Sequence, residues 1–147
     1  MPESVSLGGI ALFVKDMKAA LAFYRLLGIE IPAGSVWPDE ASAQHVTVHF
    51  DGGQTLDLDS HGLTKSYDAG FQEPSGSPRC VFVFQSATRA GVDEVYGRVT
   101  KAGHKSHLAP FDAFWGARYA IVLDPDGNQV GIVSPSDPGM AAAPPSA

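Results

Sequence analysis

Two short alternating runs carry the side chains best suited to chemistry. They are His45-Val46-Thr47-Val48-His49-Phe50 and Gln54-Thr55-Leu56-Asp57-Leu58-Asp59. Imidazoles and carboxylates are the groups from which metal sites and general acid–base pairs are built. In an extended strand successive side chains point to opposite faces. The Asp51-Gly52-Gly53 segment between the runs reads as a hairpin loop. With Phe50 opposite Gln54 across that loop, Val46, Val48, Leu56 and Leu58 share a buried face. His45, Thr47, His49, Thr55, Asp57 and Asp59 then share the other, and His45 falls beside Asp59. A loop of two residues sets His49 against Leu56 and spoils both faces. Such a polar face suits a displaced metal site, a His–Asp acid–base pair, or a polar cavity wall or solvated sheet face. The carboxylates lack the partner set a cation requires, which favours the last, a wall or a solvated face. The acid–base pair stays open as the minor alternative.

Other reactive side chains give less. Cys80 stands next to Arg79, where a thiol can become a low-pKa nucleophile. A strand interior suits a buried structural thiol better. His104 and His107 follow the second helix, a position that favours an imidazole for its charge. His61 begins a connector, and none of these three is given a chemical role. Asp126 and Gly127 build a turn.

The elements that must position these groups follow from periodicity. Leu7 to Val14 is nearly all apolar and reads as a strand covered on one face and lining a cavity on the other. Asp16 stands at an N-cap, Ala20, Phe23, Tyr24 and Leu27 recur at helical spacing, and Gly28 is a stop. Ile29 to Ile31 is expected as a short strand ended by Pro32, and the hairpin follows. Residues 61–78 are rich in Gly, Pro and Ser without a period, and read as a connector in which Tyr67 and Phe71 pack on something. The pattern then repeats. Arg79 to Gln85 is a strand, and Ala90 to Ala102 a helix with Val92, Val95, Tyr96 and Val99 on one face. Lys105 to Pro110 is extended, and Ala117 to Leu123 and Gln129 to Val133 are strands around the Asp124-Pro125-Asp126-Gly127 turn. The order is βαβββ, connector, βαβββ, a repeat supported by matching hairpin ends. The expected fold is α+β: tandem βαβββ modules forming a curved mixed sheet around a cleft, with helices outside. One domain spans residues 1–135, with module one about 5–60 and module two about 79–135. Residues 136–147 are expected as a disordered tail.

Composition limits the function classes. Hydrophobic residues make up 44% and charged residues 18%, which is globular rather than disordered. The net charge of -6 offers nothing to a phosphate backbone, and no basic run occurs, so nucleic acid is not expected as a partner. The single cysteine fits a reducing compartment. The N-terminus lacks a basic secretory region, and no apolar run approaches a membrane span. A cytoplasmic protein that does not engage a membrane is expected.

Ile10-Ala11-Leu12-Phe13-Val14-Lys15-Asp16-Met17, with Ala22-Phe23-Tyr24 and Leu27-Gly28, resembles the opening of the vicinal oxygen chelate superfamily. That superfamily includes glyoxalase I, extradiol dioxygenases, fosfomycin-resistance enzymes and bleomycin-binding resistance proteins. Asp124-Pro125-Asp126-Gly127-Asn128 before the last strand resembles its other strong signal, and the likeness runs over roughly residues 5–135. Fold alone does not fix function. The metal enzymes of the superfamily hold a divalent cation with four inward side chains, usually His or Glu. Carried onto this chain, those positions fall on Gly9, Asp57, Cys80 and Gly131. Glycine has no side chain to donate, so the resemblance implies no metal and no other cofactor here.

With Gly9 and Cys80 inward, period two turns Ala11, Phe13, Phe82 and Phe84 inward as well. Phe111, Phe114 and Trp115 cluster before the seventh strand, which carries Tyr119, and Trp37 ends the second. Singly, such rings are core or dimer contacts. Together they describe a flat-walled apolar cleft, widened at Gly9 and Gly131, with His45, Thr47, His49 and Asp57 as its polar groups. The expected function is metal-free binding of a bulky aromatic or antibiotic-like small molecule, as in the bleomycin-resistance proteins, with no catalytic residue. The alternative is a glyoxalase-like lyase or isomerase, or a dioxygenase-like enzyme. The resemblance also implies a homodimer, with a cleft formed within one chain or across two.

Overall fold

The computed structural model describes residues 2–40 and 42–146. The chain divides into two compact units, Met1–Leu21 with Glu30–Ser75 and Ala22–Ile29 with Gly76–Ala147. The elements run β1 (Gly9–Val14), α1 (Met17–Leu26), β2 (Asp39–Glu40), β3 (Ala43–His49), β4 (Thr55–Ser60), α2 (His61–Tyr67), β5 (Val81–Gln85), α3 (Arg89–Lys101), β6 (Ser106–Asp112), β7 (Arg118–Leu123) and β8 (Gln129–Val133). The fold is α+β, with two four-stranded mixed sheets ordered β1-β4-β3-β2 and β5-β8-β7-β6. No helix among the described residues is long and apolar enough to cross a membrane.

In the first unit the hairpin register follows from alternation. His45 pairs with Asp59 and His49 with Thr55, and the Phe50 N–H donates to the Gln54 carbonyl at 3.0 Å. Val46, Val48, Leu56 and Leu58 are buried, joined by Leu12 and Val14 of β1, which runs parallel to β4. The N-cap also forms, with the Asp16 carboxylate accepting from the Ala19 N–H at 3.0 Å. Two expectations need correction. Ile29 to Ile31 is not a strand, because Ile31 is a core residue and the chain turns at Pro32, whose carbonyl accepts from the Ser35 N–H and hydroxyl. The short strand is β2, paired with Ala43 and Gln44. The connector is not structureless either. Ser60 caps α2 through its hydroxyl, which accepts from the Leu63 N–H at 3.2 Å, and Thr64 is buried. Seven residues are too few to show a helical period.

In the second unit α3 is capped by Thr88, and its Val92 and Val99 are buried. Ala120, Val122, Val130 and Ile132 are buried in strands β7 and β8. Strand β5 begins at Val81, so Cys80 lies outside it and is exposed, not in a strand interior. The chain after β8 is bonded back onto the unit. The Asp137 N–H donates to the Gly116 carbonyl at 3.0 Å, a short 3₁₀ turn spans Pro138–Met140, and the Ala142 N–H reaches the Phe114 carbonyl at 2.7 Å.

The β7–β8 turn is organised by one carboxylate. Asp124, 4% exposed, accepts from the Asp126 N–H at 3.0 Å, the Asn128 N–H at 2.8 Å and the Asn128 amide at 2.9 Å. Its remaining site takes the hydroxyl of buried Tyr24, from the end of α1, at 2.7 Å. Burial first, then the Asp124 charge, pushes the Tyr24 phenol far above its ordinary value of 10.0. Removing that hydroxyl strips a hydrogen bond from a buried charged acceptor. Tyr24→Phe is expected to cost about 1.5–3 kcal/mol in urea unfolding. A tyrosine with a raised folded-state pKa adds stability that is complete below its unfolded value of 10.0 and fades above it. The fall in urea midpoint between pH 8 and pH 10.5 should therefore be shallower in Tyr24→Phe than in the parent.

Candidate functional site

On the polar face of the first sheet, side chains form a continuous hydrogen-bonded chain. His45 Nδ1 lies 2.5 Å from Asp59 Oδ1, and His45 Nε2 lies 2.7 Å from Thr47 Oγ1. The Thr47 hydroxyl donates to Asp57 Oδ1 at 2.7 Å, and Thr55 donates to Asp57 Oδ2 at 3.0 Å. Tyr67, at the end of α2, donates to Asp59 Oδ2 at 2.8 Å. Desolvation, then this bond to Asp59, raises the Tyr67 phenol above its usual value. The one Thr47 proton goes to Asp57, so Thr47 accepts from His45 Nε2–H, and with Nδ1 on Asp59 the imidazole has no free nitrogen to offer a substrate. Phe13 shares this face, with its ring 5.1 Å from that of Phe71 in an edge-on contact, and Phe71 also meets His61 at 5.4 Å. His49 is exposed at the end of β3. The Trp37 backbone N–H donates to the His45 carbonyl, and the residue is 77% exposed.

The second sheet gathers aromatic rings. Tyr119 pairs with Phe111 across β6 and β7, and their centroids are 6.2 Å apart. Trp115, in the loop between those strands, lies 5.5 Å from Tyr119, 6.3 Å from Phe111 and 5.1 Å from Phe114. Edge-on and tilted contacts of this length are the favoured geometry for aromatic pairs. Burial raises the Tyr119 phenol above its ordinary value. Phe114 is 40% exposed and Trp115 38%, so the cluster offers ring surface to solvent.

Phe82 and Phe84 are not part of this cluster. Phe82 pairs with Val130 and Phe84 with Ile132, both buried, and the Phe84 ring lies 6.3 Å from that of Tyr24. Val81 and Val83 share the face of Gly131 instead, and Val83 is 55% exposed. The inward phase placed on Cys80, Phe82 and Phe84 is therefore off by one residue. Arg79 to Gln85 is apolar on both faces, and period two cannot phase such a run.

The residues that the resemblance sets at metal positions, and Val81 on the re-phased strand, do not fit a divalent cation. A Cβ at Gly131 would lie 2.9 Å from the Tyr119 hydroxyl, 3.0 Å from Tyr119 Cε2 and 3.2 Å from Val81 Cγ1. A Cβ at Gly9 would collide with Thr55. These glycines do not widen a cleft; their space is taken by the Tyr119 and Val81 side chains at Gly131 and by the backbone and side chain of Thr55 at Gly9. Asp57 is held by two threonine hydroxyls, and Cys80 lies outside its strand. Among the described residues no three His, Cys, Asp or Glu side chains converge as a ligand set.

Sequence reasoning missed Tyr67 as a partner of Asp59, and missed Arg89 and Met140 beside the aromatic loop. Ser60 as a helix cap and Ser136-Asp137-Pro138-Gly139 as a turn were the available signals.

Comparisons with known proteins agree with this architecture. Residues 6–132 match the Glyoxalase/Bleomycin resistance protein/Dioxygenase superfamily. No curated protein matches the chain. A glyoxalase/bleomycin resistance protein/dioxygenase family enzyme from Burkholderia phytofirmans superposes with a TM-score of 0.71 at 22% identity, covering 88% of this chain and 98% of its own. A glyoxalase-related enzyme from Fulvimarina pelagi gives 0.70 at 18% identity, covering 88% of each chain. A lactoylglutathione lyase from Agrobacterium tumefaciens gives 0.58 at 25% identity, covering 91% of this chain and 96% of its own.

The crowding at Gly131 makes a direct prediction. Gly131→Ala is expected to destabilise by about 1–3 kcal/mol by overpacking against Tyr119 and Val81. In a Tyr119→Ala background most of that cost should vanish. A double-mutant cycle from urea melts measures the coupling. Additive costs would show that Tyr119 does not own the space.

Proposed function

We propose that this chain, which belongs to the Glyoxalase/Bleomycin resistance protein/Dioxygenase superfamily, is a metal-independent protein that sequesters an aromatic, antibiotic-like small molecule on its second sheet. The observation that carries this reading is the ring cluster of Phe111, Phe114, Trp115 and Tyr119, with Phe114 and Trp115 partly open to solvent. Rigid rings bury large apolar area with little loss of side-chain freedom, and they suit a flat ligand. Sequestration needs affinity and no reacting group. The glycines at two metal positions therefore do not hinder it, and Tyr119 fills the space that a ligating side chain at 131 would require.

A second reading has its own observation in favour. The 2.5 Å contact of His45 with Asp59 is the arrangement that orients an imidazole for proton transfer. It supports a lyase or isomerase that works without a metal. The engagement of His45 Nε2 by Thr47 ranks it second.

Titrating the Trp37→Phe protein with a panel of aromatic antibiotics isolates the Trp115 signal. Saturable quenching is expected, unchanged by EDTA, and weakened by about tenfold or more in Phe114→Ala or Tyr119→Ala. Uniformly weak binding across the panel would remove the sequestering reading. Turnover in a substrate screen, lost in His45→Ala and Asp59→Asn while the fold is retained, would install the second.

A further inference from the structure

The loop between β6 and β7 forms one wall of a cavity of about 380 Å3. Phe111, Ala113 and Phe114 line it from that loop and its approach, and Met140, Ala142 and Pro145 line it from the C-terminal segment. That segment is built to lie there. The Asp137 carboxylate accepts from the Gly139 N–H at 2.9 Å, and its carbonyl accepts from the Met140 N–H at 3.0 Å, so the chain turns sharply. The Asp137 N–H is pinned to the Gly116 carbonyl, which also accepts from Arg89 Nη1 at 3.1 Å. The second pin joins the Ala142 N–H to the Phe114 carbonyl at 2.7 Å. Gly116 has φ +92, and a Cβ there would collide with the Asp137 carbonyl, so the close approach requires glycine at this place.

The charges on the cavity wall cancel. The Arg89 guanidinium is paired with the Asp112 carboxylate, which also receives Arg118 at 3.3 Å, and Arg118 has its second carboxylate in Asp93 at 2.9 Å. An uncompensated charge entering this space would lose water and find its counter-charge already engaged. The remaining lining is ring, thioether and aliphatic surface. A cavity of about 150 Å3 holds a benzene ring, so this one has room for a fused pair.

We propose that this cavity is a binding site for an uncharged aromatic molecule of one or two rings, with the C-terminal segment as the wall that sets its selectivity. The proposal rests on the sequestering reading and deepens it, because Phe111 and Phe114 belong both to the ring cluster and to this cavity. The segment after Ser134 is then part of the site and not a tail.

Calorimetric titration of the full chain with 2-naphthol tests it, with 2-naphthoate and 1-naphthylmethylammonium as charged controls. Saturable binding of 2-naphthol is expected, at least tenfold tighter than either charged analogue. Ala142→Trp, which places a ring in the cavity from an exposed position, is expected to weaken 2-naphthol binding at least tenfold. Removal of residues 137–147 should do the same, and Ala142→Trp guards against the shortened chain failing to fold. If 2-naphthol binds both variants as it binds the parent, while Trp115→Ala abolishes binding, this proposal is overturned and the reading beneath it stands. Equal binding of the charged analogues overturns the stated ligand class. If no aromatic compound binds the parent, both fail together.

Discussion

Asp124 is a buried carboxylate with about four acceptor sites, and all four are used. Two backbone N–H groups and the Asn128 amide shape the turn, and the Tyr24 hydroxyl ties the end of α1 to it. The turn fixes how β7 and β8 pair, with Ile121 opposite Gly131 and Tyr119 opposite Val133. That register lays the Tyr119 ring over Gly131, and the β6–β7 loop sets Trp115 beside the same ring. The placement of Tyr119 on the second sheet thus depends on a turn that lies outside the ring cluster.

The two sheets expose faces of different character. In the first, every polar group of the His45–Asp59–Thr47–Asp57 chain is spent on a neighbour, which stiffens the face and leaves little free capacity for a substrate. In the second, rings meet each other at their edges and keep part of their surface open. An internally satisfied polar network makes a wall, whereas an aromatic cluster with exposed area still gains from burying a partner. This contrast is the physical reason for ranking binding above acid–base chemistry.

Much of the fold was legible because its signals are local. Alternation between His45 and Asp59 had one register that kept both faces clean, and the structure has that register. Asp16 and Gly28 marked the ends of α1 for the same reason, a cap and a positive φ. What failed required tertiary information. Val81, Phe82, Val83 and Phe84 are all apolar, so no rule of period two could say which pair faced the core. Ile31 is apolar because it is buried, not because it is in a strand. The room left by Gly9 and Gly131 depended on Thr55 and Tyr119, which lie far away in sequence or on another strand. The candidate site was legible by composition, as an aromatic group near β7, but its partition between Tyr119 with Trp115 and Phe82 with Phe84 was not.

The account turns on side chains, not a cation, forming the working surface of this member of a superfamily that includes metal enzymes. Elemental analysis of untagged protein purified from its own host without chelators addresses that claim most directly. The account predicts well under one equivalent of zinc, nickel, manganese or iron per chain. A full equivalent of any of these, retained through dialysis, would contradict it.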